Sequence, residues 1–184
     1  DYYISKYDVN IDVKENNIFH ITENLTYIFN IPHHGITRII PLTHTRYRND
    51  GTSTYIKGKI SNINCSDNIV SISKSNEKCI IKIGDSNKYI NGEKNYTISY
   101  DYNLGNDKSK SYDELYFNIV GTEWECPINN ITWTIKMPKP FDTSNIGYSV
   151  GYENTFDYES LIEECINNIE TIQNLNSNEF EELL

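Results

Sequence analysis

The chain has 184 residues, with 26 acidic against 16 basic side chains and a formal net charge of -10. That balance argues against sequence-independent nucleic-acid binding, which works by neutralising phosphates, and against a polybasic membrane-surface role. At 38% hydrophobic and 23% charged, the composition fits a globular fold that needs no metal or disulfide staple, and no apolar run approaches the roughly 20 residues that cross a bilayer.

Isoleucine (28), asparagine (25) and tyrosine (15) dominate, and alanine is absent. All three have AT-rich codons, so the Tyr and Asn excess is a poor sign of a binding surface. A start at Asp1-Tyr2-Tyr3 without Met is what removal of a signal peptide, or trimming, would leave.

Residues 5–14 alternate, with Tyr7, Val9, Ile11 and Val13 on one face and Asp8, Asn10, Asp12 and Lys14 on the other. That is the pattern of a half-buried strand. Glu15-Asn16-Asn17 reads as a turn. Residues 18–30 place Phe19, Ile21, Leu25, Tyr27 and Phe29 on their odd face. Pairing residues whose numbers sum to 32 sets Val13 against Phe19, Ile11 against Ile21 and Tyr7 against Leu25, so both apolar sets share one side.

Further strands are expected at 36–40, 55–63, 69–73, 79–83, 96–102, 113–120, 131–137 and 146–152, with surface loops at 46–54 and 105–111. Pro138-Lys139-Pro140 closes the alternation of Ile131, Trp133, Ile135 and Met137, because proline cannot continue a ladder. About ten short strands divided by Asn, Gly, Asp and Ser clusters predict an all-β fold. The expected architecture is an antiparallel β-sandwich, immunoglobulin-like or related, over residues 1–155. In the segment 156–184, Leu161, Ile162, Cys165, Ile166, Ile169 and Ile172 recur at helical spacing.

Glu23 breaks the pattern, since the register sets it opposite Val9 on the apolar face, where a charge must be paired or reach water. Arg38 shares the face of Ile36 and Ile40 on the next strand and is the natural partner. The two form either a buried pair that fixes register or a polar site at the end of the sheet. His33-His34 lie next to each other, which points their side chains apart on a strand, and no zinc spacing is present. Cys65, Cys79, Cys126 and Cys165 fit no CxxC motif, and Cys65–Cys79, flanking a hairpin, is the least costly closure if the chain is exported. Asp113 and Glu114 are a carboxylate pair of the kind glycoside hydrolysis needs, yet as strand neighbours they too point apart. Trp124, Tyr116 and Tyr112 offer flat apolar rings with a polar handle, suited either to a sugar-binding face or to the core. Asp101, Asn103 and Asp107 open like a calcium loop, which fails at Asn106 and Tyr112.

Six segments, in order, resemble a bacterial family of predicted membrane proteins, domain of unknown function 2207. They are Ile4-Ser-Lys-Tyr-Asp-Val-Asn-Ile-Asp-Val13, Ile21-Thr-Glu-Asn-Leu-Thr-Tyr-Ile-Phe29, His34-Gly-Ile-Thr-Arg-Ile-Ile-Pro41, Gly92-Glu-Lys-Asn-Tyr-Thr-Ile-Ser-Tyr100, Tyr112-Asp-Glu-Leu-Tyr-Phe-Asn-Ile119 and the run from Gly121 to Ile128. The resemblance implies the extracytoplasmic N-terminal domain of an exported, membrane-anchored protein, with membrane spans outside this chain. It also implies that 156–184 continues the sandwich as strands, against its helical spacing. It transfers no catalytic residue.

The expected function is therefore a non-enzymatic domain on the outer face of a bacterial cell membrane that binds a protein or envelope component. Glu23, Arg38, Asp113, Glu114, Tyr116 and Trp124 are the candidate site residues, and no metal or cofactor is expected. A carbohydrate-binding module is the first alternative and a hydrolase with paired carboxylates the second. A line of exposed rings would favour the former and a carboxylate cleft the latter.

Overall fold

The computed structural model describes residues 2–47, 51–106, 115, 117–121, 123–141, 144 and 179–180. In chain order its strands are β1 (Tyr2–Val13), β2 (Ile18–His33), β3 (Gly35–Pro41), β4 (Thr43–Tyr47), β5 (Ser53–Lys57), β6 (Lys59–Cys65), β7 (Ile69–Lys74), β8 (Lys78–Gly84), β9 (Ile90–Asn103), β10 (Ile131–Lys136) and β11 (Glu179–Phe180).

Alternation sets the first hairpin. β1 and β2 pair antiparallel with Val13 on Phe19, Ile11 on Ile21, Val9 on Glu23 and Tyr7 on Leu25, the register that the two apolar faces dictate. In the turn, the Lys14 N–H donates to the Ile18 carbonyl at 2.9 Å and the Asn17 N–H to the Lys14 carbonyl at 3.1 Å. Asn17 takes φ of 58°, a left-handed conformation that asparagine tolerates better than most residues. At the other end a bulge at Ser5 shifts the phase by one residue, so that even-numbered Ile4 is fully buried.

Among the described residues, six strands form one sheet in the order β11-β10-β1-β2-β9-β6, and three form another in the order β3-β8-β7. The large sheet is antiparallel except where β10 lies parallel to β1. Its inner face carries Tyr7, Val9, Ile11, Phe19, Ile21, Leu25, Tyr96, Ile98, Tyr100, Trp133 and Ile135, all buried. Ile36, Ile40, Cys79, Ile81 and Ile83 of the small sheet close the same core. Each large apolar side chain removed from water contributes roughly 1.5–3 kcal/mol, which makes this shared interior the main source of stability. Gly35 and Gly84 face each other where β3 and β8 meet. A Cβ on Gly35 would lie 2.0 Å from the Ile83 carbonyl oxygen, at φ of 151°, so only glycine lets the two backbones approach there.

The structure corrects four expectations. Residues 43–47 and 53–57 form the separate antiparallel ribbon β4–β5, where a loop was expected from 46 to 54. The strand expected at 55–63 is two strands in different sheets, divided at Gly58. That residue's N–H donates to the Leu42 carbonyl at 2.7 Å, and an added Cβ would meet the Tyr102 ring at 2.4 Å. The described part of 113–120, residues 115 and 117–120, lies in no strand. Cys65 and Cys79 are free thiols, as is Cys126. The β7–β8 hairpin exists, but Cys79 sits at its turn, opposite Lys74, while Cys65 precedes its far end. The strand expected at 146–152 lies outside the described residues, as does the tail apart from β11.

Candidate functional site

The two charges that sequence reasoning placed on apolar faces meet between the sheets. Arg38 Nε donates to Glu23 Oε2 at 2.8 Å and Nη2 to Glu23 Oε1 at 2.7 Å. The fork is bidentate, the strongest geometry a guanidinium offers a carboxylate. Glu23 is 0% and Arg38 3% exposed. Tyr100 on β9 donates its hydroxyl to Glu23 Oε1 at 2.7 Å, and Arg38 Nη1 donates to the Ile39 carbonyl.

Trp124 completes the enclosure. Its ring centroid lies 4.4 Å from the centre of the Arg38 guanidinium, a cation–π contact strengthened by exclusion of water. Trp124 Nε1 donates to the Val120 carbonyl at 2.6 Å, which fixes the ring plane. Tyr7 meets the ring edge-on at 5.1 Å between centroids. Gly121, at φ of 78°, passes beside the guanidinium, so that even an added Cβ would lie 3.8 Å from its nitrogens. Among the described residues the Tyr7 hydroxyl has no hydrogen-bond partner.

The electrostatics follow from burial. Desolvation alone would lower the Arg38 pKa, but the adjoining Glu23 carboxylate outweighs it and raises the value well above normal. Burial, reinforced by the Glu23 charge, raises both Tyr7 and Tyr100 well above 10.0. The guanidinium therefore stays charged and both phenols neutral across the physiological range. With the Arg38 guanidinium and the Tyr100 hydroxyl both bonded to the Glu23 carboxylate, the cluster can fix the spacing of the sheets. It presents no open face to a ligand among the described residues.

Of the six candidate residues, the structure joins Glu23, Arg38 and Trp124. Asp113, Glu114 and Tyr116 lie outside the described residues. The sequence marks Tyr7 only as a position on the apolar face and Tyr100 only as part of the strand expected at 96–102. For Tyr100 the signal is the hydroxyl itself, since a buried tyrosine usually seeks a polar partner where phenylalanine would need none.

Two open depressions lie elsewhere. One, of about 540 Å³, is lined by Tyr2, Tyr3, Asn30, Glu125, Pro127 and Asn129. The other, of about 200 Å³, lies on the outer face of the large sheet among Asn10, Asp12, His20, Thr22, Thr134 and Lys136. On that face the register aligns Lys136, Asp12, His20 and Asp101 across four strands. His20 Nδ1 and Asp101 Oδ1 are 2.8 Å apart, and Asn62 donates to Asp101 Oδ2 at 2.6 Å. Hydrogen bonds from His20 and Asn62 lower the Asp101 pKa. His33 is half-buried beside Tyr2 and Phe29, and exposed His34 packs on Tyr89. Among the described residues, no three His, Cys, Asp or Glu side chains converge as metal ligands.

The N-terminal domain family described as "Predicted membrane protein (DUF2207)" matches residues 3–183. The chain belongs to this family. The DUF2207 domain is also similar to the M1 zinc metallopeptidase from Deinococcus radiodurans, at 13% identity and a TM-score of 0.38, covering 73% of this chain and 32% of that one. Legionella pneumophila aminopeptidase A in complex with aspartic acid is similar at 19% identity and a TM-score of 0.30, covering 57% and 11%. The chain thus spans a third or less of these peptidases' length, and likeness at this level says nothing about its chemistry. No curated protein sequence matches it. Among the described residues, no helix is long and apolar enough to cross a membrane.

Proposed function

We propose that this DUF2207 domain is the non-enzymatic, extracytoplasmic part of a membrane-anchored protein and binds a protein partner by strand addition along β7. The observation that carries the reading is the state of that edge. Among the described residues β7 pairs only with β8, and every residue from Val70 to Lys74 is exposed. Ile72 pairs with Ile81, which is buried on the core side, yet Ile72 is 43% exposed and Val70 57%. A strand whose outer edge no described residue pairs, with β-branched side chains and a terminal lysine that donates to the Ile60 carbonyl at 3.0 Å, offers backbone groups and apolar anchors to an extended segment.

The buried cluster supports a structural rather than catalytic use of Glu23, because an attacking or proton-transferring carboxylate must reach its substrate. Of the three rings on which the carbohydrate alternative relied, Tyr112 and Tyr116 lie outside the described residues. Tyr7, Tyr27, Tyr96, Tyr100, Tyr102 and Trp133 of the large sheet all point into the core, and Trp124 is committed to Arg38.

A photo-reactive amino acid at position 72 of the full-length protein in intact cells tests the binding, with position 22 on the outer sheet face as the reference. A single protein adduct at 72, absent at 22 and lost with Val70→Lys, is expected. Equal labelling at both positions, or none at 72, rejects strand addition. A phosphatase reporter joined after Leu184, active only outside the cytoplasm, tests the address.

A further inference from the structure

We propose that the end of the sandwich carrying Ile31, Pro32, His34 and Tyr89 rests on the lipid headgroup layer of the bilayer that holds the whole protein. Ile31 is 52% and Tyr89 70% exposed. They occupy one end of the fold, because Ile31 lies in the last turn of sequence in β2 and Tyr89 immediately precedes Ile90, which pairs with His33. Tyr89 does not hang free. The His34 ring lies 4.0 Å from it, centroid to centroid, and His34 Nδ1 is 3.0 Å from the Lys88 carbonyl oxygen. The tyrosine is therefore held outward on a braced connection.

An exposed isoleucine beside a propped tyrosine suits the interface, where an amphipathic ring keeps its hydroxyl among headgroups and its body among the first methylenes. The opposite end of the large sheet differs: Lys14, Glu15, Asn16, Pro138 and Lys139 are exposed there, and Lys139 pairs with Glu15 at 3.5 Å. The course of the chain selects between the ends. β11 runs antiparallel to β10, which is parallel to β1, so β11 heads toward the end where β1 begins and β2 finishes. In a family of membrane proteins whose N-terminal domain this is, the membrane portion follows in sequence and is led to the Ile31 and Tyr89 rim. The charges nearby include the ion pair Lys88–Asp85 at 3.6 Å and the acidic Glu93 and Glu125. Seating thus depends on ring and alkyl contact and not on attraction to anionic lipid.

The inference rests on the membrane-anchored reading, and its test separates the two. Full-length protein is placed in phosphatidylcholine vesicles at low density, washed with concentrated salt at neutral pH, and oxidised briefly with hydroxyl radicals before mass spectrometry. Tyr55, 60% exposed on β5, is the internal reference. Oxidation of Tyr89 several-fold slower than that of Tyr55, with Ile31 likewise protected and neither changed by 0.5 M salt, is the expected result. Equal reactivity of Tyr89 and Tyr55 in washed vesicles overturns the proposal and leaves the anchored reading standing. Protein released by the wash overturns both. Protection that fades as protein density falls assigns the cover to a second copy, which also overturns it.

Discussion

Two groups of charges cross this molecule, and they teach opposite lessons. On the outer face, Lys136, Asp12, His20 and Asp101 form a row open to solvent, with the His20 side chain 51% exposed. Between the sheets, Glu23 and Arg38 form a bidentate ion pair with almost no exposure. In water the pairwise gain is offset by lost side-chain freedom and by screening. In the interior the net gain of the pair is small because desolvation cancels it, but removing one partner strands the other. Glu23–Arg38 is thus a constraint on how the sheets fit together, and the outer row mainly keeps that face wet.

The largest test of this contrast is Glu23→Leu, expected to cost about 3–5 kcal/mol in urea unfolding because Arg38 remains buried and unpaired. Adding Arg38→Met should recover most of that loss. If the double variant is no more stable than the single one, the pair is not the coupled unit described.

Alkaline titration sharpens the contrast next. The folded-state pKa values of Tyr7 and Tyr100 lie well above 10.0, whereas the unfolded chain ionises near that value. Stability is therefore complete below pH 10 and falls as the pH rises past it, by roughly 1.4 kcal/mol per pH unit for each such group. Tyr102, pushed up to about 12 by burial, adds to the same slope up to its own pKa. The tyrosinate absorbance of the buried rings, beyond that of exposed tyrosines such as Tyr55 and Tyr89, should appear together with the loss of sheet circular dichroism, and phenolate formation from the cluster in a still-folded protein would contradict the burial described.

Trp124→Ala removes a desolvated cation–π contact together with packing against Tyr7 and should cost about 2 kcal/mol. Trp124→Phe, which keeps a ring face, should cost less. Equal losses would mean that the hydrogen bond to Val120, and not the ring over Arg38, is what Trp124 supplies.

The smallest effect belongs to the outer row. Asp101→Asn should change stability by no more than about 0.5 kcal/mol at pH 7 and by less in high salt. Its pKa is depressed in the fold, so its contribution is present above the unfolded value of 3.8 and lost as the pH falls through the lower folded one. A larger loss at neutral pH would place this row beside the buried pair in importance.

Much of the fold was legible because alternation is local. The faces of β1 and β2, their register, and the anomaly of Glu23 all follow from side chains that change sides at every residue. Arg38 was legible for the same reason, as a charge in phase with Ile36 and Ile40. The β4–β5 ribbon was missed because Arg46, Arg48, Asn49 and Asp50 read as a loop, although Asp50-Gly51 is itself a hairpin signal. The division at Gly58 could not be read, because what forbids a side chain there is the ring of Tyr102, far along the sequence.

By itself, the sequence determined which residues turn inward and which two charges must find partners, since period-two patterning is written in neighbouring residues. The tertiary structure alone decided that Trp124 covers Arg38, that Cys65 and Cys79 stay apart, that β10 joins β1 in parallel and that β7, among the described residues, pairs only with β8. Each of these depends on where distant segments come to rest, and non-local packing leaves no periodic trace in the chain.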